Sequence, residues 1–145
     1  MKRFNKVSLS TPEDYFMINL IEQENFNHIF TTKYLDFNPH NDSGITKCLV
    51  YRESGLCVGY VIFNHWDDQV EILMIGVKKE MWNHGIGSTL LREVKRYGLI
   101  ITIEVRASNT NAIKFYEVND FVFSHRKEKY YDNNEDGLYY IWKKN

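Results

Sequence analysis

The sequence predicts an α/β chain of the α+β kind, a central sheet of mixed strand direction flanked by helices. Three observations predict it. Short apolar runs bounded by turn residues recur along the 145 residues, the pattern of strands. Other stretches carry apolar residues at helical spacing, the pattern of helices laid on a sheet. Tight turns join some runs and whole helices join others, so the sheet contains both hairpins and crossovers. The length suits one domain over residues 1–145 with a single core.

Taken in order, Lys2 to Leu9 reads as a first strand. Ser10-Thr11-Pro12-Glu13-Asp14 reads as a helix start: a Thr cap, Pro at the first helical position, and acids at the positive end of the dipole. The helix that follows puts Phe16, Met17, Leu20 and Ile21 on one side. Phe26 to Asp42 is open between a short second helix and a polar loop. Ile45 to Tyr51, Leu56 to His65 and Val70 to Val77 then form an antiparallel meander, with turns at Glu53-Ser54-Gly55 and Trp66-Asp67-Asp68. A helix from near Gly85 buries Leu90, Leu91, Val94 and Tyr97. Leu99 to Val105 is a strand, and Asn109 to Val118 a helix with Ala112, Phe115 and Tyr116 on one face. Val122 to Tyr131 and Leu138 to Trp142 close the chain as strands.

Composition excludes several function classes. Hydrophobic residues make up 43% and charged ones 26%, which rules out a disordered or fibrous chain. Nine Phe, ten Tyr and three Trp must fill much of the core. The formal net charge of -1 gives no bulk pull toward nucleic acid or an anionic membrane. No apolar run approaches the roughly 18 residues that span a bilayer. The basic start, Met1 to Lys6, leads into no apolar signal core. Cys48 and Cys57 read as buried free thiols, and the Asn41-Asp42-Ser43 sequon lacks a secretion signal, so a cytoplasmic location is expected. The five histidines are dispersed without ligand spacing, so no metal is expected, and no Gly-x-Ser-x-Gly elbow supports a serine hydrolase. Lys78-Lys79 and Arg126-Lys127 read as solvated faces.

Two blocks carry chemistry. The first is the apolar strand Val70 to Val77, leading through Trp82-Asn83-His84 into Gly85-Ile86-Gly87-Ser88 at a helix start. Free backbone N–H groups there, with glycines that let a ligand approach, suit a pyrophosphate. Taken alone, Gly-x-Gly fits a tight loop as well. A dinucleotide fingerprint wants glycine where Leu90 stands, and the Gly-Lys-Ser/Thr ending of a P-loop is absent. The second block runs from Glu104 to Tyr116. Alternation puts Glu104 on the face of Thr102 and Arg106, where partial desolvation suits a general base and where pairing with Arg106 is an equal alternative. Asn109 fits a helix cap. Tyr116, two helical turns later, fits a core aromatic with its hydroxyl at an edge.

In this order and separation the blocks resemble the GNAT acetyl-CoA-dependent N-acetyltransferases. Glu104-Val105-Arg106-Ala107-Ser108-Asn109, Arg126, Tyr130-Tyr131 and Glu135-Asp136 are similar to the branch that acetylates an N-terminal alanine of a ribosomal protein. The resemblance implies a mostly antiparallel sheet of about six to seven strands with about four helices. It implies that Ile75, Gly76 and Val77 offer backbone groups to the pantetheine of acetyl-CoA. By the same resemblance Asn83, His84, Gly85, Ile86, Gly87 and Ser88 hold the pyrophosphate, and Asn109 contacts the pantetheine. Glu104 takes a proton from the attacking amine, Tyr116 protonates the departing thiolate, and transfer is direct and metal-free. Trp82 departs from the family's Gln or Arg, Asp120 from its glycine, and the Gly87–Glu104 segment is shorter than in the alanine acetyltransferases.

The expected acceptor is the α-amine of a protein N-terminus. The runner-up is a small amine such as an antibiotic, a polyamine or an amino acid, and a third reading is an acyl-CoA scaffold without turnover. An acid-rich cleft favours the small cation, and an open groove lined by Tyr130 and Tyr131 favours a peptide. The sequence carries no signal of oligomeric state.

Overall fold

Ser54 and Gly55 take φ of 50° and 81°, a left-handed pair that turns the chain back within two residues, and Asp67 opens the next turn at φ 51°. The computed structural model describes residues 6–26 and 45–145. Their strands are β1 (Val7–Leu9), β2 (Thr46–Glu53), β3 (Leu56–Trp66), β4 (Gln69–Val77), β5 (Ile100–Arg106), β6 (Val122–Lys127) and β7 (Gly137–Lys143). They form one seven-stranded sheet in the order β1-β2-β3-β4-β5-β7-β6. β4 and β5 are parallel neighbours, and the other adjacent strands run antiparallel.

Helices cover both faces. α1 (Tyr15–Phe26) lies on one, where Ile18 and Ile21 pack with Cys48, Val50, Tyr60 and Ile62. α2 (Ile86–Val94) and α3 (Thr110–Val118) lie on the other, over Val61, Phe63, Ile101, Ile103 and Leu138. Leu90, Leu91 and Val94 are completely buried there, each worth about 2 kcal/mol of transfer free energy. α2 is also the crossover that permits the one parallel pairing. Gly59 lets it approach: a Cβ there would stand 2.9 Å from Ile86 Cγ2.

The meander, the α2 stripe and the strand that closes the chain match the expectation, and Cys48 and Cys57 are buried free thiols. Two expectations change, and two others reach past the described residues. The first strand is described only over Val7–Leu9, and Lys2 to Asn5 lie outside the described residues. α1 turns Ile18, Ile21 and the acid Glu22 inward, leaving Phe16 70% and Leu20 45% exposed. Ile18 and Ile21 meet Cys48, Val50, Tyr60 and Ile62 on that side, and Asp14, in the 3-10 turn Pro12–Asp14 that opens α1, ties the helix start to Arg52 of β2 at 2.7 Å. Strand β6 ends at Lys127 rather than Tyr131 because Lys129 takes φ of 51° and the chain turns there, so Tyr130 and Tyr131 belong to the connection. Three helices are described rather than about four, and Asn27 to Asp42, where the open segment was expected, lies outside the described residues. Among the described residues, no helix is long and apolar enough to cross a membrane.

Candidate functional site

The site begins where β4 and β5 part. The two strands pair from Gln69↔Ile100 to Ile72↔Ile103 and no further. Leu73 is an extra residue in β4, because Phe63 pairs with Ile72 and Ile62 with Met74. Such a bulge bends its strand. Here it directs Leu73–Val77 away from β5 and opens a slot, and Glu104 is the first β5 residue beyond the pairing.

Register decides which backbone groups face that slot. The Lys78 N–H donates to Val58 O at 2.9 Å. In an antiparallel ladder hydrogen-bonded pairs alternate, so Gly76, opposite Tyr60, turns its backbone groups to β3. Ile75 and Val77 turn theirs to the open side. Ile75 and Val77 thus present their backbone groups to the slot, while those of Gly76 are taken up in the ladder with β3. A Cβ on Gly76 would stand 2.9 Å from the Tyr60 ring and 3.2 Å from Ile21, so its bareness lets α1 pack on β4. The Val77 carbonyl already accepts two hydrogen bonds, from Trp82 Nε1 at 2.7 Å and Asn25 Nδ2 at 2.9 Å.

The glycine turn is built as its sequence suggests. Asn83 and Gly85 take φ of 66° and 77°, and Gly85 caps α2. The first intrahelical bond is from Thr89 N–H to Gly85 O, 3.0 Å. The N–H groups of Ile86, Gly87 and Ser88 precede it, and no side chain caps them. The Ile86 side chain is core, so only its backbone faces this turn. Gly87 lies against α3, where a Cβ would stand 2.9 Å from Phe115 Cζ. Asn83, His84 and Gly85 are exposed.

Glu104 is half-buried, and its neighbours Ile103 and Val105 belong to the core under α2 and α3. Alternation therefore sends its side chain to the opposite face. It shares a row there with Tyr139 and His125, its cross-strand partners on β7 and β6. The hydroxyls of Tyr130, Tyr131 and Tyr139 face its carboxylate. That charge holds the Tyr130 phenol above its usual range, and burial together with Glu104 raises Tyr131 and pushes Tyr139 up to about 12. His125 stacks on Tyr139 at 4.5 Å. Arg106 pairs with Glu135 at 3.3 Å and lies 3.9 Å over the Tyr131 ring, so the alternative of a Glu104–Arg106 pair is not realised.

Tyr116 is buried on the α2 and α3 face, edge-on to Phe115 and Phe121, and burial holds its phenol well above the ordinary value. Glu104, on β5, thus faces away from the helices, whereas Tyr116, on α3, is buried on the other side of the sheet. Asn109 caps α3, its side-chain oxygen accepting from Ala112 N–H at 3.1 Å. Asp120 takes φ of 71° after α3, the left-handed conformation that the replaced glycine would supply.

Sequence reasoning did not find Asn25, Tyr139 or His125. The first touches the slot through a contact 52 positions away, and the other two share the Glu104 row through strand register. Neither relation has a local signal. Among the described residues, no group of three His, Cys, Asp or Glu could hold a metal.

Residues 13–121 match the model of the acetyltransferase (GNAT) family. The chain is 33% identical over 105 residues to an uncharacterized N-acetyltransferase of Methanocaldococcus jannaschii, covering 68% of this chain and 67% of that one. It superposes on the ribosomal-protein-S18-alanine N-acetyltransferase of Escherichia coli with a TM-score of 0.79 and 23% identity, covering 94% and 92% of the two chains. Arabidopsis thaliana NAA60 in complex with acetyl-CoA gives a TM-score of 0.77 at 17% identity, over 94% and 97%. A sheet opened between its parallel strands, a glycine turn beside the opening and a family match across both make this chain a member of the GNAT acetyltransferase family.

Proposed function

We propose that this acetyltransferase moves the acetyl group of acetyl-CoA to the α-amine of a protein N-terminus, in the cytoplasm. The carrying observation is the slot itself: Glu104 is the first residue of β5 past the point where β4 departs. The edge of Ile75 and Val77 suits an extended arm bearing amides, as pantetheine does. The uncapped N–H groups of Ile86, Gly87 and Ser88, with Asn83, His84 and Gly85 before them, suit the pyrophosphate. The Asn109 amide nitrogen, left over from capping, is available to the same arm.

In this reading Glu104 takes the ammonium proton, directly or through water, since only the neutral amine attacks, and the nitrogen gives its second proton to solvent once it has bonded to the acyl carbon. The nitrogen bonds to the thioester carbon, the carbon–sulfur bond breaks, and Tyr116 gives its phenolic proton to the departing sulfur. A phenol kept protonated by burial serves as the acid. The scheme needs neither a metal nor a covalent enzyme intermediate.

The acceptor face favours a peptide. Tyr130 is 47% exposed and Tyr131 stands beside it at 5.2 Å, an open aromatic floor next to Glu104. Of the acids around it, Glu135 is paired with Arg106 and Asp136 with Arg126 at 2.6 Å, while Glu104 and Glu71 act on Tyr139. Lys127 over Tyr139 offsets part of that charge, which lessens the floor's pull on a polyamine or aminoglycoside. The name of the Escherichia coli structural neighbour agrees with an N-terminal acceptor. Cys48 and Cys57, two buried thiols held up near 12 by burial, suit a reducing compartment.

The test is acetyl-CoA with alanine-start peptides, the same peptides N-terminally blocked, an internal-lysine peptide, and polyamine and aminoglycoside mixtures, followed by mass. Acetylation confined to free N-termini is the expected result. Acetylation of a small amine moves the substrate and keeps the mechanism. Absence of both transfer and acetyl-CoA binding overturns the reading.

A further inference from the structure

Trp82 stands three residues before Gly85 of the glycine turn, and its side chain has a definite occupation. Its indole N–H donates to Val77 O at 2.7 Å, and Asn25 Nδ2 donates to the same oxygen at 2.9 Å. A carbonyl oxygen has two lone pairs. The last acceptor on the open edge of β4 is therefore filled by the protein itself.

The two donors are held differently. Asn25 is on α1, which packs against β3 and β4 through Ile18 and Ile21. Trp82 follows the 3-10 turn Lys79–Met81, is 45% exposed, and precedes three exposed turn residues. The indole is the donor that can leave without disturbing the core. Asn25 Oδ1, on the same carboxamide, is itself buried and accepts from no described residue. This end of the slot thus has acceptors in excess once the indole withdraws, and a ligand carrying N–H groups would relieve it.

We infer that Trp82 is a latch on the cofactor slot. Its indole N–H holds the Val77 carbonyl in the free enzyme and yields it to an amide N–H of the pantetheine arm when acetyl-CoA enters. The inference rests on the acetyl-CoA reading above. The exchange replaces one N–H donor by another at Val77 O and returns the indole N–H to water. Removing the competing donor should therefore tighten binding by the worth of about one hydrogen bond, roughly three- to tenfold.

Calorimetric titration of acetyl-CoA into the full chain and into Trp82→Phe, which keeps the ring and deletes the N–H, tests this. The expected result is about three- to tenfold tighter binding by the variant. In a second protein, with Trp66→Phe and Trp142→Phe leaving Trp82 as the single tryptophan, acetyl-CoA should shift its emission to the red as the indole leaves its carbonyl. Equal or weaker binding by Trp82→Phe, or saturation with no change in Trp82 emission, overturns the latch alone. No heat with either protein overturns both the latch and the functional reading.

Discussion

At the scale of single residues, the candidate base and acid lie on opposite sides of the sheet, Glu104 on β5 itself and Tyr116 on α3, which covers the other face. Glu104 emerges on the tyrosine-lined face and Tyr116 on the helical one, so each can be probed without disturbing the other. Tyr116→Phe keeps the ring contacts with Phe115 and Phe121. It should lower kcat about a hundredfold while acetyl-CoA affinity stays near wild type; an unchanged kcat removes Tyr116 from the mechanism. Glu104→Gln should slow transfer by a similar factor, and the deficit should widen as pH falls from about 8 to 6. More of an α-amine is protonated there, so more of the rate depends on a base. A profile parallel to wild type across that range assigns deprotonation to solvent. Both residues were legible in the sequence because each belongs to a local spacing. Their placement on opposite faces was not, since it depends on which face of β5 the helices cover.

At the scale of elements, the Glu135 carboxylate ties the connection between β6 and β7 to the end of β5. Glu135 accepts from Ser108 N–H at 2.9 Å and from the Ser108 hydroxyl, and pairs with Arg106. The Ser108 hydroxyl and amide hold its carboxyl down to about 2. Because the folded value lies below the ordinary one near 4.5, the stabilisation is present above about pH 4.5 and is lost as pH falls toward 2. Glu135→Gln should therefore remove part of the decline in Tm between those values; a variant with the wild-type acid limb shows that the pairing does not support the fold. The connection also shows where periodicity fails. Val122 to Tyr131 looks like one strand, yet Lys129 at φ 51° ends it and sends two tyrosines back over Glu104. A left-handed lysine has no sequence signature, whereas the turns at Ser54-Gly55 and Asp67 use residues suited to them and were read correctly.

At the scale of the whole molecule, the half-buried pair of Asp14 and Arg52 joins the opening of α1 to the sheet across 38 positions, through two contacts of 2.7 Å. Arg52→Met should leave Asp14, 4% exposed, without its cation, at a cost of about 3 kcal/mol and a Tm lower by roughly 6–12 °C. A Tm within a degree or two of wild type means that Asp14 finds another partner. The sequence by itself determined the strand meander, the amphipathic α2 with its glycine-turn start, the capped start of α3, and the two spaced blocks. Each is a local relation among turn residues, apolar period and backbone freedom. Tertiary structure alone decided which side of α1 faces inward: Ile18 and Ile21 pack on Cys48, Tyr60 and Ile62, and Phe16 and Leu20 stay exposed. It also decided that Gly76 serves packing rather than the slot, that three tyrosines gather on Glu104, and that Trp82 fills the Val77 carbonyl. Those outcomes depend on strand register, on one bulge at Leu73 and on contacts between distant positions, and none of these leaves a period or a motif in the chain.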